Sequence, residues 1–190
     1  MDSKITVGFA VTGSYCTLSK ILPVAETMSA EADIIPIFSD NSASTDTRFG
    51  KAEKFISEME RISGRDAILS IAEAEPIGPK GLLDVLVIAP CTGNTIAKLA
   101  NGIADTTVTL AAKSQLRNNR PIVIGISTND GLGANAVNIG KLLARKNIYM
   151  VPFGQDDCIN KENSLIADFT RLMPTVRAAL DGRQLQPLLV

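Results

Sequence analysis

Between Ala89 and Asp105 the chain reads Ala-Pro-Cys-Thr-Gly-Asn-Thr-Ile-Ala-Lys-Leu-Ala-Asn-Gly-Ile-Ala-Asp. An apolar run, Asp84–Ala89, has the composition of a buried strand, and helical spacing resumes at about Asn94. Pro90 has no N–H to give a ladder, so it is expected to end the strand. Pro90, Cys91, Thr92, Gly93, Asn94 and Thr95 then make an edge of small, hydroxylated and amide residues. There a flat or charged ligand can reach N–H groups that have no partner within the following helix. The chemistry these residue types offer is binding. Cys91 is the one nucleophile among them, and its size suits packing against a ligand better than attack.

Three further loops carry residues of the same kind. Gly13 and Ser14 follow the apolar run Ile5–Val11; glycine suits a tight turn, and a hydroxyl suits a helix cap. Gly8 and Gly13 do not make a G-x-G-x-x-G pattern, and no Gly-Lys-Ser/Thr follows, so neither a dinucleotide nor a triphosphate loop is indicated. Ser39 stands at the exit of Asp33–Phe38, ahead of Arg48 and Phe49; the arginine fork can clamp a carboxylate or phosphate. The stretch Ser127–Asn138 places Asn129 and Asp130 beside two glycines and suits a loop folded over a ligand. Asp156 and Asp157 read either as paired carboxylates or as solvated loop charges, the second being preferred.

What is missing narrows the chemistry. The chain has 190 residues, 45% of them hydrophobic, a net charge of −1 and no histidine. Every mechanism built on an imidazole base is excluded, and no residue takes a catalytic assignment. The three cysteines lack C-x-x-C spacing, so neither a disulfide framework nor a metal site is expected. Without a basic cluster, nucleic acid is not an expected partner; without a long apolar stretch or a secretory leader, the expectation is a cytoplasmic protein.

Positioning these loops requires alternating elements. Strand-like runs at Ile5–Val11, Asp33–Phe38, Val85–Ala89, Ile122–Ile126 and Ile148–Val151 alternate with helical spacing at Leu18–Met28, Phe49–Ile62, Val108–Leu116, Val137–Leu143 and Ile166–Leu180. Pro23 is expected to kink the first helix. The alternation predicts an α/β fold: a three-layer, Rossmann-like, doubly wound sheet, mostly parallel, of flavodoxin type, with ligands at the carboxyl ends of the strands. One domain is expected over 1–183. Residues 184–190 are expected to form an extended tail suited to packing on a neighbour.

The segment Pro90–Lys98 followed by Gly102–Asp105 resembles the P-A-S/T-x-N-T-x-A-K…G-I-A-D motif of the homo-oligomeric flavin-containing cysteine decarboxylases. Gly13-Ser14 and Ser39 match that family's other flavin-contacting loops. The resemblance implies FMN held by Gly13, Ser14, Ser39 and Pro90 to Thr95, with Arg48, Asn129 and Asp130 toward substrate or ribityl. It also implies a trimer or dodecamer. Near its full length the chain resembles a spore-former group within this family, through GFAVTGSYC, DTRFG, AEPIGP, STNDGLG, NIYMVPFGQDD and QLQP. That group implies partnership with a dehydrogenase-like A subunit, together with oxidation of dihydrodipicolinate, a small dicarboxylate, in the mother cell during sporulation. NADP stands as an alternative cofactor. The decarboxylases' histidine and their P-x-M-N segment are absent here, with Ser127-Thr128-Asn129-Asp130 in place of the latter. Decarboxylation of a cysteinyl substrate and a non-catalytic supporting role remain the alternatives.

Overall fold

The computed structural model describes residues 4–190. Strands form where β-branched residues cluster: β1 (Ile5–Val11), β2 (Ala32–Phe38), β3 (Val85–Cys91), β4 (Ile122–Thr128) and β5 (Ile148–Met150). They pair in parallel in the order β2-β1-β3-β4-β5. Both faces of this sheet are covered, so β3 is buried at every position. From β1 the chain first steps to β2 and then back across to β3, and the crevice between the carboxyl ends of β1 and β3 is the switch point of the sheet.

Helix α1 (Tyr15–Ser29) follows β1, continues through Pro23 and buries Leu18, Ile21, Ala25 and Met28. After β2 come α2 (Asp40–Ser44) and α3 (Ala52–Ser63), then the short α4 (Ile71–Ala74) and α5 (Ile77–Lys80). Helices α6 (Gly93–Ala100) and α7 (Thr107–Arg117) connect β3 to β4, and α8 (Ala136–Leu143) connects β4 to β5. Right-handed crossovers put α1 on one face and α6, α7 and α8 on the other, giving the three expected layers.

The region after β5 departs from the sequence reading. Ile166–Leu180 is not one helix, and Gly154–Asp157 is not a loop. Instead β6 (Phe153–Asp157) and β7 (Lys161–Ala167) form an antiparallel hairpin, followed by a 3-10 turn (Phe169–Arg171) and α9 (Leu172–Leu180). The polar run Lys161–Asn163 has no strand-forming composition; pairing with β4, at Ser127 with Ile166 and Thr128 with Leu165, holds β7 extended. Asp168 then separates strand from helix by accepting the Thr170 N–H at 3.1 Å. The edge of β4 is therefore divided. Its first residues pair in parallel with β5, its last two antiparallel with β7.

The residues from Gln184 onward lie against their own chain. Gln184 brackets Met150, its Oε1 accepting the Met150 N–H at 2.8 Å and its Nε2 donating to the Met150 carbonyl at 2.7 Å. The Phe153 N–H donates to the Leu188 carbonyl at 3.0 Å, and the Val190 N–H donates to the Phe153 carbonyl at 3.2 Å.

Candidate functional site

The carboxyl ends of β1, β3 and β4 open onto a cleft with two lobes. The larger lobe, about 540 Å³, runs from Ser14 past Gly93 and Ser127–Asp130 to the β6–β7 hairpin. The second, about 470 Å³, is lined by Thr12, Ser39, Asp40, Thr95, Lys98, Asp105 and Thr106 among others. Gly13, Tyr15, Thr92 and Asn94 belong to both, so the switch point is the waist of the cleft.

Hydroxyl groups knit the loops together. Thr12 Oγ1 donates to the Pro90 carbonyl at 2.7 Å and accepts the Thr92 N–H at 3.0 Å, tying the end of β1 to the end of β3. Ser14 Oγ lies 2.8 Å from Ser127 Oγ, which lies 3.0 Å from Thr17 Oγ1, so α1 is joined to β4. Ser14 stands at the helix N-cap but makes no side-chain cap bond, because its hydroxyl is turned across the cleft. Ser39 and Thr92 do cap, accepting the N–H groups of Ser42 at 3.3 Å and Thr95 at 3.4 Å. The first-turn N–H groups of α1 and α6 have no acceptor within their helices and begin at the waist. Among the described residues, the Asn94 amide has no hydrogen-bond partner in the protein.

Asp130 is held rather than free. Its Oδ1 accepts from Thr128 Oγ1 at 2.5 Å and its Oδ2 from Asn135 Nδ2 at 2.8 Å, while Asn138 Nδ2 donates to Asn135 Oδ1 at 2.9 Å. This network presses on Gly93, where an added Cβ would lie 2.6 Å from each of Asn135 Nδ2, Asp130 Oδ1 and Thr128 Oγ1. The glycine is required by packing between two loops.

Charge in the cleft is mostly compensated. Lys98 Nζ donates to Asp105 at 2.8 Å, and that bond holds the Asp105 carboxyl below the usual carboxylate range. Lys161 Nζ donates to Asp156 at 2.7 Å, which raises the lysine. Lys20, in the larger lobe, has no carboxylate within 4.0 Å among the described residues.

Of the residues singled out from sequence, Gly13, Ser14, Ser39, Thr92, Gly93, Asn94, Thr95, Asn129 and Asp130 line the cleft. Pro90 and Cys91 do not. Strand β3 runs on through Pro90 to Cys91, with its pairing to β4 shifted between Ile88 and Cys91, because Pro90 lacks only the donor and its carbonyl is still used by Thr12. Cys91 is fully buried, and burial pushes its thiol pKa up, the opposite of nucleophile activation. Arg48 is also absent from the lining. Its guanidinium lies over the Phe49 ring, 4.8 Å from the centroid, and it is Phe49 that faces the larger lobe. Tyr15, Lys20, Phe49 and the hairpin residues Lys161, Ser164 and Leu165 were not found from sequence, and Asp156, preferred there as a solvated loop charge, lines the larger lobe with them; the hairpin brings these four here. Among the described residues no group of three His, Cys, Asp or Glu side chains is placed to hold a metal, and no helix is long and apolar enough to cross a membrane.

A doubly wound sheet with a polar cleft at its switch point is the architecture of nucleotide- and flavin-handling proteins, and the chain belongs to the Flavoprotein family, whose model matches residues 1–169. Within it, the chain is 48% identical over 185 residues to the B subunit of dipicolinate synthase from Bacillus subtilis, covering 97% of this chain and 92% of that one. The crystal structure of the corresponding dipicolinate synthase B subunit from Bacillus halodurans superposes with a TM-score of 0.89 at 45% identity, over 98% of this chain and 96% of that one. The FMN-dependent cysteine decarboxylase SpaF shares the fold alone, with a TM-score of 0.62 at 21% identity over 93% and 95% of the two chains.

Proposed function

We propose that this chain is the flavin-holding B subunit of a dipicolinate synthase. It acts with a dehydrogenase-like A subunit to oxidise dihydrodipicolinate to dipicolinate in the mother cell of a sporulating bacterium. The observation that carries this reading is near full-length similarity to the Bacillus protein. The cleft supports the flavin. One lobe is walled by hydroxyls and helix-start N–H groups suited to a ribityl phosphate, and at the waist the unpaired Asn94 amide can meet the polar edge of a planar ring. Gly13 leaves room there, since a Cβ in its place would first meet the Tyr15 ring at 3.4 Å. A nicotinamide dinucleotide is not part of the reading for this chain, whose first loop lacks the required glycines.

A bound flavin supplies a two-electron acceptor that no side chain of this chain provides. The chain does the rest by position. The N–H groups at the starts of α1 and α6 and the hydroxyls of Ser39, Thr92 and Thr95 hold the cofactor, with Lys98 available to its phosphate once released from Asp105. Asp130, fixed by Thr128 and Asn135, sets the loop that seats the other side. Aromatising the substrate removes one hydride, for which that two-electron acceptor would serve, and one ring proton, which passes to solvent. The product is aromatic, so a site without histidine suffices. Assembly of several copies, as in the wider family, belongs to the same proposal.

Purified protein mixed with FMN and desalted is expected to keep the visible flavin band and, with dihydrodipicolinate and the dehydrogenase-like partner, to form pyridine-2,6-dicarboxylate. A colourless protein after that treatment rejects the flavin. Decarboxylation of a cysteinyl peptide without dipicolinate formation rejects the oxidation.

A further inference from the structure

The turn Asp46–Gly50 holds a large aromatic side chain outward. The Thr47 N–H donates to the Gly50 carbonyl at 3.0 Å, and the Gly50 N–H donates to the Thr47 carbonyl at 3.1 Å. Asp46 Oδ1 accepts the Ala52 N–H at 2.9 Å and Thr47 Oγ1 the Phe49 N–H at 3.2 Å, so both ends of the turn are pinned. Gly50 has φ +147°, and a Cβ there would lie 2.9 Å from the buried Phe55 ring. The turn can therefore close only with a glycine set against the core. At its tip, Phe49 is 45% exposed and faces the larger lobe. The pinned turn thus holds the ring half-exposed at the lobe instead of folding it into the core. Arg48 lies over one face of the ring, 4.8 Å from its centroid. On α1, Lys20 lines the same lobe and is the lining cation without a carboxylate partner among the described residues.

We infer that this turn is the substrate platform: Phe49 stacks on a planar carboxylated ring, Lys20 takes one of its carboxylates, and Arg48 positions Phe49 from behind. The inference rests on the proposed function for the identity of the ring, and it moves substrate recognition from the Arg48 fork to the pair Phe49 and Lys20.

Titration of the full-length chain, alone and mixed with its dehydrogenase-like partner, tests it with two probes: planar pyridine-2,6-dicarboxylate and its saturated counterpart piperidine-2,6-dicarboxylate. The wild type is expected to prefer the planar probe. Phe49→Ala weakens binding of that probe by about tenfold and abolishes the preference, while Phe49→Tyr keeps it. Lys20→Gln weakens both probes. Unchanged melting temperatures for these exposed sites show that the fold is intact. Wild-type binding with Phe49→Ala within twofold of it overturns the platform and leaves the proposed function standing. No binding of either probe by the wild type, with or without the dehydrogenase-like partner, overturns both.

Discussion

Cys91 shows how a residue's chemistry depends on where its side chain ends up. It lies next to Thr92, a cleft residue, yet its sulphur is fully enclosed while Cys16 and Cys158 are exposed. Two thiols are therefore expected to react with a disulfide reagent in the native protein and all three in denaturant, counted by released chromophore. A third fast-reacting native thiol would place Cys91 in the cleft after all. In sequence, Thr92, Gly93 and Asn94 were legible because small polar residues between strand and helix have few other uses. Lys20 and Phe49 were not, because a lone lysine on a helix or an aromatic in a turn is commonplace until the fold puts both into one cavity. Asp130 was legible as a loop residue. Its partners Thr128 and Asn135 were not, since side-chain networks have no spacing rule.

Helix α6 is docked by what Gly93 lacks. Gly93→Ala drives a methyl group into Thr128, Asp130 and Asn135 and is expected to cost roughly 1–3 kcal/mol, with a lowered melting temperature and weakened FMN retention. Gly140, within α8, has nothing within 4 Å of a built Cβ. There the alanine is expected to be neutral or to stabilise by up to about 1 kcal/mol, and calorimetry on both variants separates the two cases. Equal losses would show that the Asp130 network does not locate α6. The parallel strands and their helices were legible because each is a local apolar pattern of the right period. The β6–β7 hairpin was not: Lys161-Glu162-Asn163 has no strand-forming composition and is extended within the hairpin, Lys161 pairing with Asp157, and the apolar residues Leu165, Ile166, Phe169 and Leu172 that follow imitate helical spacing.

A chain without histidine has no side chain of ordinary pKa titrating around neutrality. Asp105 and Asp157 are held low, by Lys98 and by the Asn160 N–H. Their contribution is present above the free carboxylate pKa of about 3.9 and lost as pH falls through the lower folded values. Lys161 is raised by Asp156, so its contribution is present below about 10.4 and lost as pH rises through the folded value. Cys91 is raised by burial, and its share fades once pH climbs above a free thiol's value of about 8.5. The melting temperature is expected to be flat from about pH 5 to pH 8 and to fall on either side. A step near pH 6.5 in a melting series would contradict this.

The divided edge of β4 has a consequence for how such a molecule can diverge. Among the described residues, strand pairing joins the β6–β7 hairpin to the parallel sheet at Ser127 and Thr128, opposite Ile166 and Leu165. The hairpin wall of the cleft is thus a ribbon paired to the sheet over two residues, while the waist belongs to strands buried on both faces. Descendants can lengthen, shorten or replace the ribbon, and so reshape that side of the cleft, without rebuilding the strands beneath it.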